Sequence, residues 1–202
     1  GHHRYETALL YAKERGIDEN KPYCYVLVAF FNMYSKDLII LPTQRLVKVE
    51  SFLQEEFIKK LAQYFKIAAI PYSDEMSEVA ISKLITVMRD RKEKGMVCFG
   101  VYSMYDPSKI YLITLKEELK EKIIEEISSV VGREVASLDV SILTELVLKR
   151  ILELSEEKIT SRAYVDYIRY EKDAISTVKR GIRDLAFILN PTSIEEVITV
   201  AE

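Results

Sequence analysis

The sequence predicts an α+β fold: a mixed, mainly antiparallel sheet made from two hairpins, with helices packed on it and a C-terminal β-α-β-α unit. Three observations lead there. Apolar, aromatic and β-branched runs of strand length come in pairs around short polar turns, at 23–34 with 38–49 and at 96–104 with 109–115. Apolar residues recur at helical spacing over 51–65, 74–93, 117–128 and 138–154. The C-terminal part then alternates strand-like and helix-like segments at 164–170, 171–180, 184–189 and 193–201. A strand-helix-strand crossover of that kind is what adds a parallel component to an otherwise antiparallel sheet.

Taken in order, Arg4 to Arg15 sets Tyr5, Ala8, Leu9, Tyr11 and Ala12 at helical spacing, and Gly16 supplies the stop. After the turn-rich Asp18 to Pro22, the segment Tyr23 to Tyr34 is apolar on both faces, which predicts a strand covered from both sides. Ser35-Lys36-Asp37 turns the chain, and Leu38 to Val49, with Pro42 inside, predicts a partner strand that is interrupted or lies at an edge. Ser51 to Phe65 carries Leu53, Phe57, Leu61, Tyr64 and Phe65 on one face, with Ser51 and Gln54 at capping-box spacing. Lys66 to Tyr72 is a short strand. Ser73-Asp74 opens a helix running to Glu93 with Val79, Leu84, Val87 and Met88 inward, and its last turn, Arg89 to Lys94, alternates in sign as a solvated face does.

Gly95 breaks that pattern before the second hairpin, which turns at Tyr105-Asp106-Pro107-Ser108. Asp139, beside Ser137, reads as the N-terminal cap of the helix over 138–154, and Ser155 to Ser161 as a polar connection. In the closing unit Gly181 ends one helix, Asn190-Pro191 stops the last strand, and Thr192 or Ser193 caps the final helix. No internal repeat interrupts this order. The expected organisation is one α+β domain over 1–202, with 51–94 as a candidate helical insertion.

Of the 202 residues 49% are hydrophobic and 30% charged, so a core is available and disorder is excluded. With 29 basic against 32 acidic side chains and a net charge of −3, the chain lacks the positive footprint of a general nucleic-acid binder. Thirteen tyrosines beside no tryptophan are best read as amphipathic strand and rim residues. The two cysteines, Cys24 and Cys98, sit in apolar runs with neither disulfide nor zinc spacing, as buried reduced thiols of a cytoplasmic protein would. No run approaches the roughly 18 apolar residues of a membrane span, and there is no signal peptide, so cytoplasmic localisation without a membrane partner is expected.

Chemistry is sparse in the body of the chain. Both histidines are N-terminal, which excludes a His-centred triad elsewhere, and neither phosphate-binding glycine motif occurs. The informative stretch is Gly1-His2-His3-Arg4, immediately before a helix. Glycine permits close backbone approach, the first-turn N–H groups point outward, and the positive helix end favours phosphate. Arg4 adds a bidentate clamp, and His2 or His3 a donor or proton shuttle. An expression-tag scar would look the same from these residues alone. Gln44 and Arg45, after Pro42-Thr43, either face a cleft or form a solvated edge pair. Asn190 and Thr192 lie at a strand end, where ligands gather, though capping explains them equally. No metal site is expected: adjacent histidines on a strand would diverge and a third ligand is lacking.

The blocks GHHRYETAL, VLVAFFNMYSKDLIILPTQRLV, YLITLKEE, LDVSILTELVL and AFILNPTSIEEVITVA resemble, in order and spacing, the prokaryotic family designated domain of unknown function 1015, whose members carry DGHHRYETA. The resemblance implies that His2 and His3 are native. It also implies that the chain is a fragment of a longer protein lacking both ends, because the family continues before the glycine and, with a Met-Pro-x-Lys-Ser-Thr block, after the final helix. Gln44 departs from the histidine of the family's Leu-Pro-Thr-His-Arg-Leu. The Gly-His-His-Arg turn is in addition similar to the Gly-x-His/Arg-Arg motif of the ParB, sulfiredoxin-like and free-serine-kinase superfamily, where turn and helix bind nucleotide phosphates.

These readings together give the expected function. A nucleotide or phosphorylated small molecule binds at the turn, with Gly1, Arg4 and Arg45 on phosphate and His2 and His3 catalytic, in a small-molecule kinase or phosphotransferase. ATP, ADP or CTP with Mg2+ would be the cofactor, and a homodimer is a candidate assembly. The alternative is a non-catalytic regulatory or interaction module in which the turn is structural.

Overall fold

The computed structural model describes residues 2–32, 35, 38 and 40–201, and the side chains of His2, His3 and Ala201 lie outside that description. The chain divides into two compact units, Gly1–Ile39 and Ile40–Glu202.

In the first unit, helix α1 spans His2–Arg15. Gly16, at φ +82°, takes the left-handed conformation that ends it. A short 3-10 turn at Pro22–Cys24 folds back on the helix. The Tyr23 hydroxyl donates to the Gly16 carbonyl at 3.0 Å, and its ring stands edge-on to Tyr11 at 6.3 Å. Among the described residues the expected first hairpin is not formed. Residues 25–32 adopt no strand, and Leu27 and Phe30 are 100% and 93% exposed. A strand apolar on both faces needs ladder partners and cover, and among the described residues this one has neither. Met33, Tyr34, Lys36, Asp37 and Ile39, around the expected turn, lie outside the described residues.

The second unit is a six-stranded sheet with helices on both faces. Its elements are β1 (Gln44–Val47), α2 (Gln54–Tyr64), β2 (Phe65–Pro71), α3 (Ser77–Glu93), β3 (Cys98–Ser103), β4 (Lys109–Leu115), α4 (Glu117–Val131), α5 (Arg133–Ala136), α6 (Asp139–Ile142), α7 (Glu156–Thr160), β5 (Val165–Ile168), α8 (Glu171–Lys179), β6 (Leu185–Ile188) and α9 (Ile194–Ala201). The strand order is β2-β4-β3-β6-β1-β5 and every pairing is antiparallel. The fold is thus α+β, with the second hairpin present as β3-β4. The C-terminal β-α-β-α unit is β5-α8-β6-α9, and its two strands do run in one direction. Yet they never pair, because β1 inserts between them: Gln44 sits opposite Ile168 on one side and Arg45 opposite Phe187 on the other. β4 separates β2 from β3 in the same way. β1 is therefore an interior strand, not the edge strand that Pro42 suggested, and Pro42 lies ahead of it where no ladder N–H is needed.

Alternating strand residues feed two cores. Leu46, Cys98, Tyr102, Ile110, Leu112, Ala186 and Ile188 meet the inward faces of α3 and α8, through Ala80, Ile81, Leu84, Met88, Ala174, Ile175 and Val178. Val47, Phe99, Val101, Ile113, Leu115, Leu185 and Phe187 meet Phe57 and Leu61 of α2, Ile123, Ile124 and Ile127 of α4, and Ile142 to Ile151. Gly100 lets α3 approach: a Cβ there would lie 2.7 Å from Leu84 Cδ2 and 3.1 Å from Ile188 Cβ.

Local expectations fail at a few termini. Ser51 does not cap α2. It sits at φ +52°, Leu53 takes the cap position without a side-chain bond, and the Gln54 Oε1 instead accepts from the Ser103 hydroxyl at 2.8 Å. Val79 is 66% exposed, since the inward stripe of α3 runs through Ala80, Ile81, Leu84 and Met88. Ser155 to Ser161 is not merely a connection: the Ser155 Oγ caps α7 by accepting the Lys158 N–H. The helix over 138–154 changes type midway, because α6 passes into a π-helix over Leu143–Ile151 that buries Leu143, Leu146, Val147, Leu148 and Ile151.

Candidate functional site

His2, His3 and Arg4 open α1 directly. His2 and His3 belong to the first helical turn, while Gly1 and both imidazoles lie outside the described residues. Arg4 is exposed, and with Thr7, Ala8 and Tyr11 it lines an open depression of about 470 Å³. No acidic side chain occupies the first turn of α1, so nothing there opposes the positive helix end.

In the second unit, Gln44 and Arg45 are neighbours on β1 with opposite fates. Gln44 is wholly buried. Its Oε1 accepts the Leu189 N–H at 2.8 Å, and its Nε2 donates to Glu171 Oε1 at 3.0 Å and to the Arg169 carbonyl at 3.3 Å. The side chain therefore ties three strands and the start of α8 together. Arg45 is half-buried on the opposite face, its guanidinium 4.7 Å from the Tyr167 ring centroid and donating to the Thr43 carbonyl. Burial lowers its pKa, against a smaller opposing effect of Tyr167.

Gln44 reaches the residue before Asn190, and Asn190 lies on a cleft of about 470 Å³ that it lines with Ile85, Arg89, Lys92, Ser193 and Glu196. Its Nδ2 donates to the Met88 carbonyl at 3.1 Å, fixing the end of β6 to α3. Ser193 is the α9 cap: its Oγ accepts the Glu196 N–H at 3.1 Å while Glu196 Oε2 accepts the Ser193 N–H at 2.6 Å, a reciprocal capping box. Lys92 donates to that carboxylate and to the Pro191 carbonyl, each at 2.8 Å. Thr192 is half-buried in the loop and does not line the cleft.

Asp139 and Cys98 are electrostatically coupled to this end of the sheet. Asp139 is the first residue of α6 and not its cap, because Leu138 holds the cap position. Its Oδ2 is enclosed without a hydrogen-bond partner. Burial pushes this carboxyl up to about 6; Lys92 and Lys120 pull against that shift and Glu196 adds to it. Burial also pushes the Cys98 thiol up to about 11, reinforced by Asp139. Cys24 is half-buried, its Sγ accepting the Asp18 N–H at 3.3 Å.

The structure thus bonds Gln44 to Leu189, the residue before Asn190, and leaves Arg45 on the other face of β1. Arg89, Lys92 and Glu196 escaped sequence reasoning, because a sign-alternating helix end and an acidic helix start are ordinary surface patterns until a strand end packs between them. Among the described residues no group of three or more His, Cys, Asp or Glu side chains could hold a metal ion, and no helix is long and apolar enough to cross a membrane.

Searches of curated proteins and of solved structures return no match. A family model does match, over residues 1–141, and its description reads "Protein of unknown function (DUF1015)". The matched span contains the Gly-His-His-Arg turn and the Gln44-Arg45 strand and stops before the π-helix. The chain belongs to the DUF1015 family.

Proposed function

We propose that the protein binds a nucleotide or phosphorylated small molecule at the first turn of α1 and acts on it as a phosphotransferase of the small-molecule-kinase type. The observation that carries this reading is the exposed Arg4 in the first turn of a 14-residue helix that has no acidic residue there. Outward N–H groups, the positive helix end and a planar guanidinium form the minimal set for a phosphate group. His2 and His3 supply a donor and an acid-base group, and Mg2+ would accompany the nucleotide. Arg45 is committed to Thr43 and Tyr167, so the reading does not depend on it. The similarity of the turn to the ParB and free-serine-kinase motif supports the same ligand class.

The test is calorimetric titration with ATP, ADP and CTP in Mg2+. Saturable binding is expected, weakened about tenfold or more by Arg4→Ala, which corresponds to about 1.4 kcal/mol. His3→Asn would keep binding and abolish phosphoryl transfer. Absence of binding at millimolar nucleotide, or an unaffected Arg4→Ala, would sink the proposal. Binding without turnover would assign the turn to a sensing module.

A further inference from the structure

Where α3, α4, α6 and α9 come together, one lysine acts on two carboxylates. The Lys92 Nζ donates to Glu196 Oε2 and to the Pro191 carbonyl, each at 2.8 Å. Among the described residues these are the hydrogen bonds that tie the segment 191–201 to the rest of the fold. Lys92 also acts through space on Asp139, whose Oδ2 is enclosed without a partner. Glu196 therefore holds the cation that Asp139 lacks, and the two carboxylates repel one another.

α9 has little else to hold it. It is eight residues long, rests on α5, and none of residues 194–200 is buried, although Ile194, Val197 and Ile198 are apolar. Its capping bonds, between Ser193 and Glu196, are internal. A short helix without buried side chains is drawn from the part of a fold that opens locally. Ser193 and Glu196 also line the cleft beside Asn190, so opening of α9 uncovers that cleft.

The charges around Asp139 fix the sign of the coupling. α3 contributes Lys92, while the neighbouring Arg91 is taken by the Thr114 hydroxyl. α4 contributes Lys120, which donates to the Gly95 carbonyl at 2.7 Å, and α9 contributes Glu196. On α5, Arg133 and Glu134 are exposed, and on the π-helix Glu145, Lys149 and Arg150 are engaged with one another, Glu156 and Glu126. Cys98 on β3 is neutral, its thiol pushed up to about 11. With Asp139 protonated, Lys92 is left to Glu196 and α9 stays docked. With Asp139 ionised, Glu196 is repelled and Lys92 is drawn both ways. Departure of α9 then relieves the repulsion and hydrates the carboxylate. The carboxyl stands at about 6 in the docked state, and opening returns it towards 3.8. Opening therefore releases the proton and becomes easier as pH rises through about 6.

We propose that Asp139 is a proton-operated latch for the C-terminal helix: protonated, it lets Lys92 hold α9 beside the Asn190 cleft, and ionised, it loosens α9. The latch lies wholly in the second unit and is independent of the phosphate reading for α1. Hydrogen–deuterium exchange of the whole chain at pH 5.0 and 7.5, each rate divided by the intrinsic rate at that pH, tests it by mass spectrometry. Protection of residues 194–201 should be about three- to tenfold lower at pH 7.5, about tenfold being the limit for a carboxyl that moves from about 6 to 3.8 on opening. Asp139→Asn should keep the acid-state protection at both pH values, which also controls for the histidines and every other titrating group. Lys92→Met should lower protection at pH 5.0 at least about threefold. The inference is overturned if wild-type α9 is equally protected at both pH values, if Asp139→Asn retains the pH dependence, or if Lys92→Met leaves α9 protected. Protection that falls in β3 and β4 but not in α9 would overturn it as well, because the proton would then govern global stability alone.

Discussion

Asp139→Asn should make the protein more stable at neutral pH, because the native fold encloses one oxygen of this half-buried carboxylate without a hydrogen-bond partner. Oδ2 has no partner, and burial lifts the carboxyl from 3.8 to about 6. The folded-state pKa is raised, so between about pH 4 and pH 6 the native state holds a proton that the unfolded chain has released. Stability associated with the neutral form is then complete below about pH 4 and lost as pH rises through about 6. A shift of about two units corresponds to about 3 kcal/mol of destabilisation at pH 7.5. Asparagine keeps the shape and the unmet hydrogen bond but removes the charge, so the comparison isolates the electrostatic cost. The variant should exceed the wild type by about 2–3 kcal/mol at pH 7.5, or roughly 4–12 °C in Tm for a chain of this size, with the gap closing near pH 4. Urea unfolding followed by circular dichroism at pH 4.0, 5.5, 6.5 and 7.5 measures it, with m unchanged between the two proteins. A gap that stays constant across this range, or a variant less stable at pH 7.5, would refute the assignment of the cost to a buried charge.

Two further substitutions probe the sheet. Gln44→Ala leaves the buried Leu189 N–H and two acceptors unmet, so it should cost about 2–4 kcal/mol in urea unfolding; a cost below about 0.5 kcal/mol would show that water replaces the amide. Gly100→Ala puts a methyl 2.7 Å from Leu84 Cδ2 and 3.1 Å from Ile188 Cβ. The leucine methyl can rotate away but the branched Cβ on the adjacent strand cannot, so thermal unfolding should report a loss of about 1–3 kcal/mol. A neutral result would mean that β3 and β6 move apart freely.

Much of the second unit is legible in the residue pattern, and the exceptions share one cause. α3, α4 and α8 follow from apolar spacing and polar flanks, and β3 and β4 from two apolar runs around Asp106-Pro107. These depend on interactions a few residues apart. Residues 25–32 carry an equally strong strand pattern and form no strand, because a strand exists only with a neighbour to complete its hydrogen bonds. Pro42 suggested an edge, but the position of β1 was set by β5 and β6, more than a hundred residues along the chain. Ser51 had the spacing of a capping residue, yet Ser103 claims Gln54, the other half of the box.

The candidate sites divide in the same way. The Gly-His-His-Arg turn is visible in sequence because its parts are contiguous. Asn190 was singled out as a strand end, but its companions Arg89, Lys92 and Glu196 come from α3 and α9, and the charges around Asp139 come from α3, α4 and α9.

By itself, then, the sequence determined the α+β class, most helices, the second hairpin and the family, all encoded in composition, short-range periodicity and contiguous motifs. Only the tertiary structure decided that β1 separates β5 from β6, that Gln44 is a buried clamp, that one Asp139 carboxylate oxygen is enclosed without a partner, and that Lys92 acts on two carboxylates from different helices. Burial, pairing and electrostatic environment are properties of neighbours in space, and those neighbours are distant along the chain.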